Sequence, residues 1–298
     1  MQETYKRGER VKHQTKTEWG LGEVLMDQLG DKVQVIFEDA GLKTFKVGVA
    51  PFIKVSGEES KSDYLTALAK RHTNPKGKAR RGPAAPFARV VEDFLHHFPR
   101  GFQDPEYAAS EWEYKHKAHV FALDHLDREE MQKLMVSGAD AEICNRARSL
   151  MNRTNLISPY EKVWLHNGLD SPGRKQLFAR SLNALLYGEE SDQLRFEAFT
   201  RTLHDLQALK WPVATYFLFM RFPDRHIFVK PEVTKHIANI LHVDIQYTPE
   251  VTWRTYSRVL HLAETLKAKL AAYEKEVLVP RDMIDLQSFI WVVGAYES

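Results

Sequence analysis

The sequence predicts a mainly α-helical protein with a small β-barrel at its N-terminal end, and three observations support this fold class. Residues 1–56 contain short alternating apolar and polar runs that are separated by glycines. A basic stretch containing glycine and proline follows, and from Val90 onward apolar residues recur at helical spacing. The 298 residues, with 43% hydrophobic and 28% charged, are enough for two globular units with separate cores.

Short strands are predicted in the first 56 residues. The alternating runs are Glu23–Met26, Lys32–Phe37 and Lys43–Val47, and turn-forming residues at Leu29–Lys32 and Glu38–Gly41 lie between them. Roughly four or five strands in so short a span are expected to close as an SH3-like or Tudor-like barrel.

This segment resembles the small domains appended to bacterial helicases and transcription-coupling factors. The matching residues are Gly8–His13, Trp19–Val24 and Val33–Gly41. The resemblance implies a docking module, with RNA polymerase or nucleic acid as the expected partner.

Residues 57–89 are predicted to form a short helix and a basic linker. From Tyr64 to Val91 there are basic residues and no acidic one. One interpretation is a solubilising linker; the other is a strap that contacts DNA phosphates and releases counterions, with Arg80 and Arg81 as contacts.

Residues 90–298 are predicted to form one all-helical domain. Prolines and glycines divide the region into successive helices, and no strand pattern interrupts them. Two of the apolar series are Leu194, Phe199, Leu203, Leu206 and Leu209, and Tyr256, Val259, Ala263, Leu266, Leu270 and Tyr273.

Within this domain, one segment has the order of elements that a DNA-binding hairpin requires. A tight turn at Lys210–Thr215 leads into the apolar run Tyr216–Met220. A polar turn, Arg221–Arg225, then precedes a second helix that opens at Lys230 and Pro231. The residues expected to contact DNA are Lys210, Trp211, Thr215, Arg225 and Lys235.

The span Gln207–Leu241 resembles the helix-hairpin-helix DNA glycosylases. The resemblance implies an enzyme that flips a base out of duplex DNA and cleaves its N-glycosidic bond, leaving an abasic site. Two features depart from the family: the hairpin glycines are absent, and Lys230 stands where the family has an aspartate. The departure suggests an unusual substrate, such as a hypermodified base of phage DNA, and hence a role in antiviral defence.

Lys230 is one of two candidate catalytic residues. As a lysine it cannot stabilise developing positive charge on the sugar, as an aspartate would. Burial could lower its pKa so that it attacks C1′ as a Schiff-base nucleophile. The alternatives are contact with a phosphate and an ordinary solvated charge.

Asp285 is the second candidate, in a helix predicted within Pro280–Trp291. Asp282, Asp285 and Ser288 fall on one face of that helix. Asp282 is expected to cap the free amides of the first turn. Asp285 lies among apolar residues, so it is the expected site of a migrated catalytic carboxylate.

Aromatic side chains could form a pocket for an extrahelical base. At helical spacing most of them are expected to be ordinary core residues. Trp211 and Trp253 are surrounded by polar residues, so at most these two are expected to line the pocket, with Trp253 as the base-pocket residue.

No metal or cofactor site is predicted. Cys144 is the single cysteine, which excludes an intrachain disulfide and fits a reducing compartment. His116 and His119 lack an accompanying carboxylate motif. No Gly-rich nucleotide loop occurs, no run is long and apolar enough to cross a membrane, and no signal peptide is expected, so a cytoplasmic location is predicted.

Two other function classes remain open. The first is a non-catalytic DNA- or RNA-polymerase-binding protein, in which the helical domain retains DNA binding alone. The second is a helical scaffold with no DNA-related role. The net charge of +2 discriminates between none of these.

Overall fold

The computed structural model describes residues 4–25, 27, 32–38, 40–46, 52–62, 65, 66, 69, 87–273 and 275–295. The chain divides into two compact units, residues 1–82 and 83–296. Two residues expected to contact DNA, Arg80 and Arg81, lie outside the described residues.

The N-terminal unit contains a five-stranded antiparallel sheet in the order β4-β3-β2-β1-β5. The register pairs Val11 with Gly22 and Val35 with Val24. A ring contact between Phe45 and Phe52, 4.8 Å between centroids, joins the two edge strands. The strands are β1 (Arg10–His13), β2 (Leu21–Val24), β3 (Lys32–Phe37), β4 (Gly41–Lys46) and β5 (Phe52–Val55).

Both faces of this sheet are covered by apolar side chains. Alternation along β3 turns Val35 and Phe37 to one face and Ile36 to the other, where Leu65 and Ala69 pack on it. Gly22 lies against the Phe37 ring, and a Cβ at this position would approach that ring to 2.7 Å. A glycine is therefore required where β2 crosses this aromatic side chain.

The second unit is all-helical in its described residues. Its first helices are α1 (Phe87–His97), α2 (Pro105–Tyr107), α3 (Glu113–His125), α4 (Arg128–Val136), α5 (Asp140–Asn152) and α6 (Pro159–Gly168). A π-helical turn, Ala108–Trp112, joins α2 to α3. The remaining helices are α7 (Pro172–Tyr187), α8 (Asp192–Asp205), α9 (Trp211–Arg221), α10 (Pro231–Leu241), α11 (Trp253–Ala271) and α12 (Met283–Ala295).

Two helices form the centre of this unit. Every residue of α9 from Trp211 to Met220 is buried, and α9 packs against α3, α7 and α8. The second central helix, α12, packs against α1, α10 and α11. At Gly294 a Cβ would come within 2.8 Å of Val233, so α10 and α12 approach closely. The predicted fold class, mainly α with a small N-terminal β unit, is confirmed.

Candidate functional site

The tight turn between α8 and α9 lies at residues 206–209, before the predicted turn Lys210–Thr215, because the residues from Trp211 onward already belong to α9. Gln207 takes a left-handed conformation with φ of 57°, although it is not a glycine. Its amide donates to the His204 carbonyl, and the Ala208 amide donates to the Leu203 carbonyl. The paired bonds close the end of α8, so the chain reverses here without the glycines of the resembled family.

The N-terminal end of α9 carries Lys210 and Trp211. The Lys210 side chain is exposed, and its ammonium lies 4.8 Å from the ring centroid of Trp164. The Trp211 side chain is buried, and its Nε1–H donates to the Thr248 carbonyl at 3.2 Å. Lys210 therefore offers a charge to a ligand, whereas Trp211 holds the loop before α11 in place.

Thr215 connects the hairpin helix to the segment that precedes α10. Its buried hydroxyl donates to the Trp211 carbonyl at 2.9 Å and accepts from the Val229 amide at 3.1 Å. Both hydrogen bonds are internal, so the hydroxyl fixes the position of Lys230, the residue after Val229, instead of presenting a group to solvent.

Lys230 lies at the N-terminal end of α10 in extended backbone and is partly buried. Its Nζ is 3.4 Å from the Leu156 carbonyl and 5.9 Å from the centroid of Trp291. The ammonium is thus held between a backbone dipole and an aromatic face.

Arg225 and Lys235 flank Lys230 along the chain. Arg225 is exposed, and its guanidinium lies 4.5 Å from the Phe222 ring centroid. Lys235 pairs with Glu232 at 2.8 Å, lies 4.9 Å from the Tyr247 ring centroid, and lines a cavity of about 500 Å³ at the C-terminal end of α10. The other residues lining this cavity are Ala238, Asn239, His242, Val243, Asp244, Ile245 and Tyr247.

Trp253 begins α11 and is partly buried. Its ring packs against Phe196 and Tyr256, with centroids 5.7 and 5.8 Å away. Tyr256 and Phe196 are themselves stacked at 4.8 Å. Trp253 is therefore the outer member of an aromatic cluster that extends into the core, and it meets both rings at an angle.

Asp285 is completely buried at the start of α12. Its Oδ1 accepts from the Tyr107 hydroxyl at 2.7 Å and from Arg281 Nη2 at 2.7 Å. Its Oδ2 accepts from the Arg281 amide at 2.7 Å and from Arg281 Nε at 2.8 Å. Burial and the adjacent carboxylate raise the pKa of the Tyr107 phenol well above its usual value. Asp285 is therefore a fully hydrogen-bonded carboxylate.

Asp282 has the capping role expected of it. Its Oδ1 accepts from the Ile284 amide at 2.8 Å and from the Asp285 amide at 3.4 Å. Burial, followed by the neighbouring Asp285 charge, raises the pKa of its carboxyl above the ordinary value.

A second ion pair lies beside Asp285, and sequence reasoning missed it. Lys115 is completely buried; its Nζ donates to Glu111 at 3.0 Å and to the Ser288 hydroxyl at 2.7 Å. Burial lowers the pKa of Lys115, and Glu111 opposes that shift. The i, i+4 spacing of Glu111 and Lys115 was visible, but such pairs are usually exposed.

Arg281 extends this group of charges toward the surface. Its guanidinium lies 4.1 Å from the Trp112 centroid, and the His116 ring is stacked on Trp112 at 4.3 Å. We call Tyr107, Glu111, Lys115, Arg281, Asp285 and Ser288 the buried charge network.

The two predicted catalytic residues belong to different surroundings. Lys230 contacts Leu156 and Trp291, whereas Asp285 contacts Tyr107 and Arg281. Among the described residues, no hydrogen bond or ion pair joins Lys230 to Asp285.

No group of three metal-ligating residues is found in the described part of the chain. Burial raises the pKa of the Cys144 thiol to about 11, which keeps it protonated at neutral pH. None of the described helices is long and apolar enough to span a bilayer.

A family model matches the segment that forms the N-terminal sheet. The family described as "Protein of unknown function (DUF3553)" matches residues 6–55. No curated protein and no solved structure matches the chain. The matched residues span the five-stranded sheet.

Proposed function

We propose that the helical unit is a DNA glycosylase, which binds duplex DNA through the α8–α9 hairpin and excises a modified or unusual base. The product is an abasic site. The proposal includes a cytoplasmic location and, because the substrate is an unusual base, a role in defence against phages with modified DNA.

One observation carries the proposal: the hydrogen bond from the Val229 amide to the Thr215 hydroxyl. It ties the helix that follows the hairpin to the residue preceding Lys230. When Lys210 binds the DNA backbone, this hydrogen bond keeps Lys230 at a fixed position relative to that DNA. Such fixed positioning of a reactive group is what base excision requires.

Lys230 is the catalytic residue in this proposal, because both oxygens of Asp285 are occupied within the fold. Nζ gives up a proton and attacks C1′ of the flipped nucleotide, and the C1′–N bond breaks. The base leaves with the bonding electron pair and takes up a proton. The sugar ring opens to an imine between Nζ and C1′, and water then hydrolyses the imine to release the abasic site.

The test incubates the purified protein with genomic DNAs that carry normal, damaged or phage-modified bases, followed by an aldehyde-reactive probe. Abasic sites are expected on one DNA class. Borohydride should trap a covalent protein–DNA adduct, and Lys230→Ala should abolish both signals. Lys267→Ala, which removes the same charge from an exposed position on α11, is the matched control and should retain them.

Salt-sensitive DNA binding without abasic sites on any DNA would contradict the glycosylase proposal. Retention of both signals in Lys230→Ala would instead assign the chemistry to another residue. Asp285→Asn, checked for folding by thermal melting, tests the other predicted catalytic residue.

A second candidate, a non-catalytic DNA- or RNA-polymerase-binding protein, is favoured by the complete internal pairing of Asp285. In the N-terminal unit, β5 is an edge strand with Ile53 53% exposed, which suits addition of a partner strand. Binding of the full chain to purified RNA polymerase, weakened by Ile53→Lys, would support this candidate. Equal binding of RNA polymerase by the wild type and by Ile53→Lys would show that the β5 edge is not the binding surface.

A further inference from the structure

Three arginines of the helical unit stack on two aromatic rings. Arg128 lies 5.2 Å and Arg221 5.7 Å from the centroid of Tyr187. Arg221 also lies 4.8 Å, and Arg225 4.5 Å, from the centroid of Phe222. These five residues alternate cation, ring, cation, ring and cation, and we call them the arginine–aromatic ladder.

Internal bonds hold the centre of the ladder in place. Tyr187 is buried, and its hydroxyl donates to the Leu126 carbonyl and accepts from Arg221 Nε at 2.8 Å. Arg221 and Phe222 end α9, the buried central helix. The Arg221 guanidinium is therefore held by the core, and Arg128 and Arg225 each lie against a ring of this centre. A ligand thus meets one guanidinium that is already ordered and two that lie beside it.

The described residues place no carboxylate at ion-pair distance from the ladder, although backbone amides and then the Arg221 charge lower the pKa of the nearby Asp127. None of its three arginines lies within 4.0 Å of a carboxylate oxygen among the described residues. The nearby Asp127 caps α4 and directs Oδ1 to the Glu129 and Glu130 amides. Arg146 and Arg195, by contrast, pair with carboxylates.

The outer arginines retain their hydrogen-bonding capacity. Arg128 and Arg225 are exposed, and in the described part of the chain neither donates a side-chain hydrogen bond. A guanidinium presents its donors in a planar fork that matches two phosphate oxygens. Guanidinium groups that have no close carboxylate among the described residues and that lie against aromatic rings are thus suited to binding a polyanion.

We propose that the arginine–aromatic ladder binds the phosphodiester backbone of duplex DNA as a second contact, apart from the α8–α9 hairpin. This inference rests on the proposed function, since it takes the same DNA as ligand. The ladder lies at the C-terminal end of α9 and the hairpin at its N-terminal end. A helix of 11 residues is about 16 Å long, which corresponds to roughly five base pairs of duplex.

The experiment measures affinity of the full chain for a fluorescent DNA duplex between about 50 and 200 mM KCl. The test variant is Arg128→Gln with Arg225→Gln, because both side chains are exposed and their loss leaves the buried Tyr187 in place. The matched control is Arg180→Gln with Lys267→Gln, which removes the same charge from exposed positions on α7 and α11. Thermal melting verifies that both variants fold.

Each lost phosphate contact lowers the slope of log affinity against log salt by about one, so the test variant should lose about two. Its affinity deficit should shrink about tenfold over that salt range, whereas the control should keep the wild-type slope. If the test variant has the same slope of log affinity against log salt as the control, the proposal that the ladder binds DNA is wrong. The glycosylase proposal is unaffected by that result.

Absence of DNA binding by the wild type would overturn both proposals, which separates that failure from failure of the ladder alone. The last measurement is binding of the wild type and the test variant to vesicles that contain anionic phospholipid. Ladder-dependent binding to vesicles, with DNA binding unchanged in the test variant, would also overturn the proposal.

Discussion

The buried charge network and the arginine–aromatic ladder use the same kinds of side chain in opposite ways. In the network, Lys115 and Asp285 are completely buried and paired with opposite charge. In the ladder, Arg128 and Arg225 are exposed, and their close partners among the described residues are aromatic rings. Charges of the first kind are satisfied by the fold, and those of the second kind remain available to a ligand.

A buried ionisable group, or one with a shifted pKa, is therefore a weak sign of a reactive site unless a ligand can reach it. Lys115 has a pKa lowered by burial, which is a property of many catalytic lysines. Yet its ammonium is enclosed by Glu111 and Ser288. The comparison therefore predicts effects on stability for the network and effects on binding for the ladder.

The largest expected effect comes from separating the Glu111–Lys115 pair. Lys115→Ala should lower the free energy of unfolding by about 4 kcal/mol, because it leaves a buried carboxylate without its cation. The paired change Glu111→Leu with Lys115→Met should cost about 1 kcal/mol or less, since both charges of the pair are removed together. Urea unfolding measures both, and equal losses in the two proteins would break the comparison.

His226 tests a buried group that has to stay neutral. It is 1% exposed, and burial lowers its pKa from 6.5 to about 4. Between these values the unfolded chain binds more protons than the folded one, so stability falls as pH drops from 6.5 toward 4 and is unaffected above that window. The loss should reach about 3 kcal/mol.

His226→Phe is the control for this pH dependence. The substitution keeps a flat ring beside Tyr256, whose hydroxyl still donates to the Ile227 carbonyl. Urea unfolding at pH 7 and near pH 4.5 should show a smaller decline for the variant than for the wild type. Parallel declines would exclude His226 as the cause.

A smaller effect is expected at Asp285. Asp285→Asn should lower the free energy of unfolding by about 2 kcal/mol, because Arg281 loses its bidentate partner. The value is below that for Lys115→Ala since the Arg281 side chain is 42% exposed and water can solvate it. A variant as stable as the wild type would remove Asp285 from the stabilising network.

The smallest expected effect is at the ladder. Arg225→Gln should change the free energy of unfolding by less than about 0.5 kcal/mol, because the side chain is exposed and unpaired with a carboxylate. Urea unfolding checks this. If Arg225→Gln lowers the free energy of unfolding about as much as Asp285→Asn, the ladder stabilises the fold as the buried charge network does. The two groups of charges would then not differ in role.

The sequence alone predicted what depends on periodicity and local chemistry. The mainly α fold with a small β unit, the buried helix after Lys210, the helix beginning after Lys230 and the cap at Asp282 all follow from short-range patterns. Contacts between distant segments could not be predicted in this way. Tyr107 meets Asp285 across 178 positions, and no local rule encodes that meeting.

The ladder was missed for the same reason. Arg225 was expected to contact DNA, but Arg128 and Tyr187 come from helices that sequence reasoning does not bring together. Thr215 was expected to contact DNA, but its hydroxyl is hydrogen-bonded within the fold. Its position in the hairpin was visible, whereas the two internal hydrogen bonds that occupy its hydroxyl were not.

The π-helical turn Ala108–Trp112 has a consequence for insertions and deletions in this chain. In an uninterrupted α-helix, Tyr107 and Lys115 would point about 80° apart, since eight residues exceed two turns. A π-helical turn accommodates an extra residue and brings both side chains to the face that meets Asp285 and Ser288. Removing one residue here would rotate α3 by about 100° relative to α2. The length of this segment is therefore constrained more tightly than the identity of Ala109.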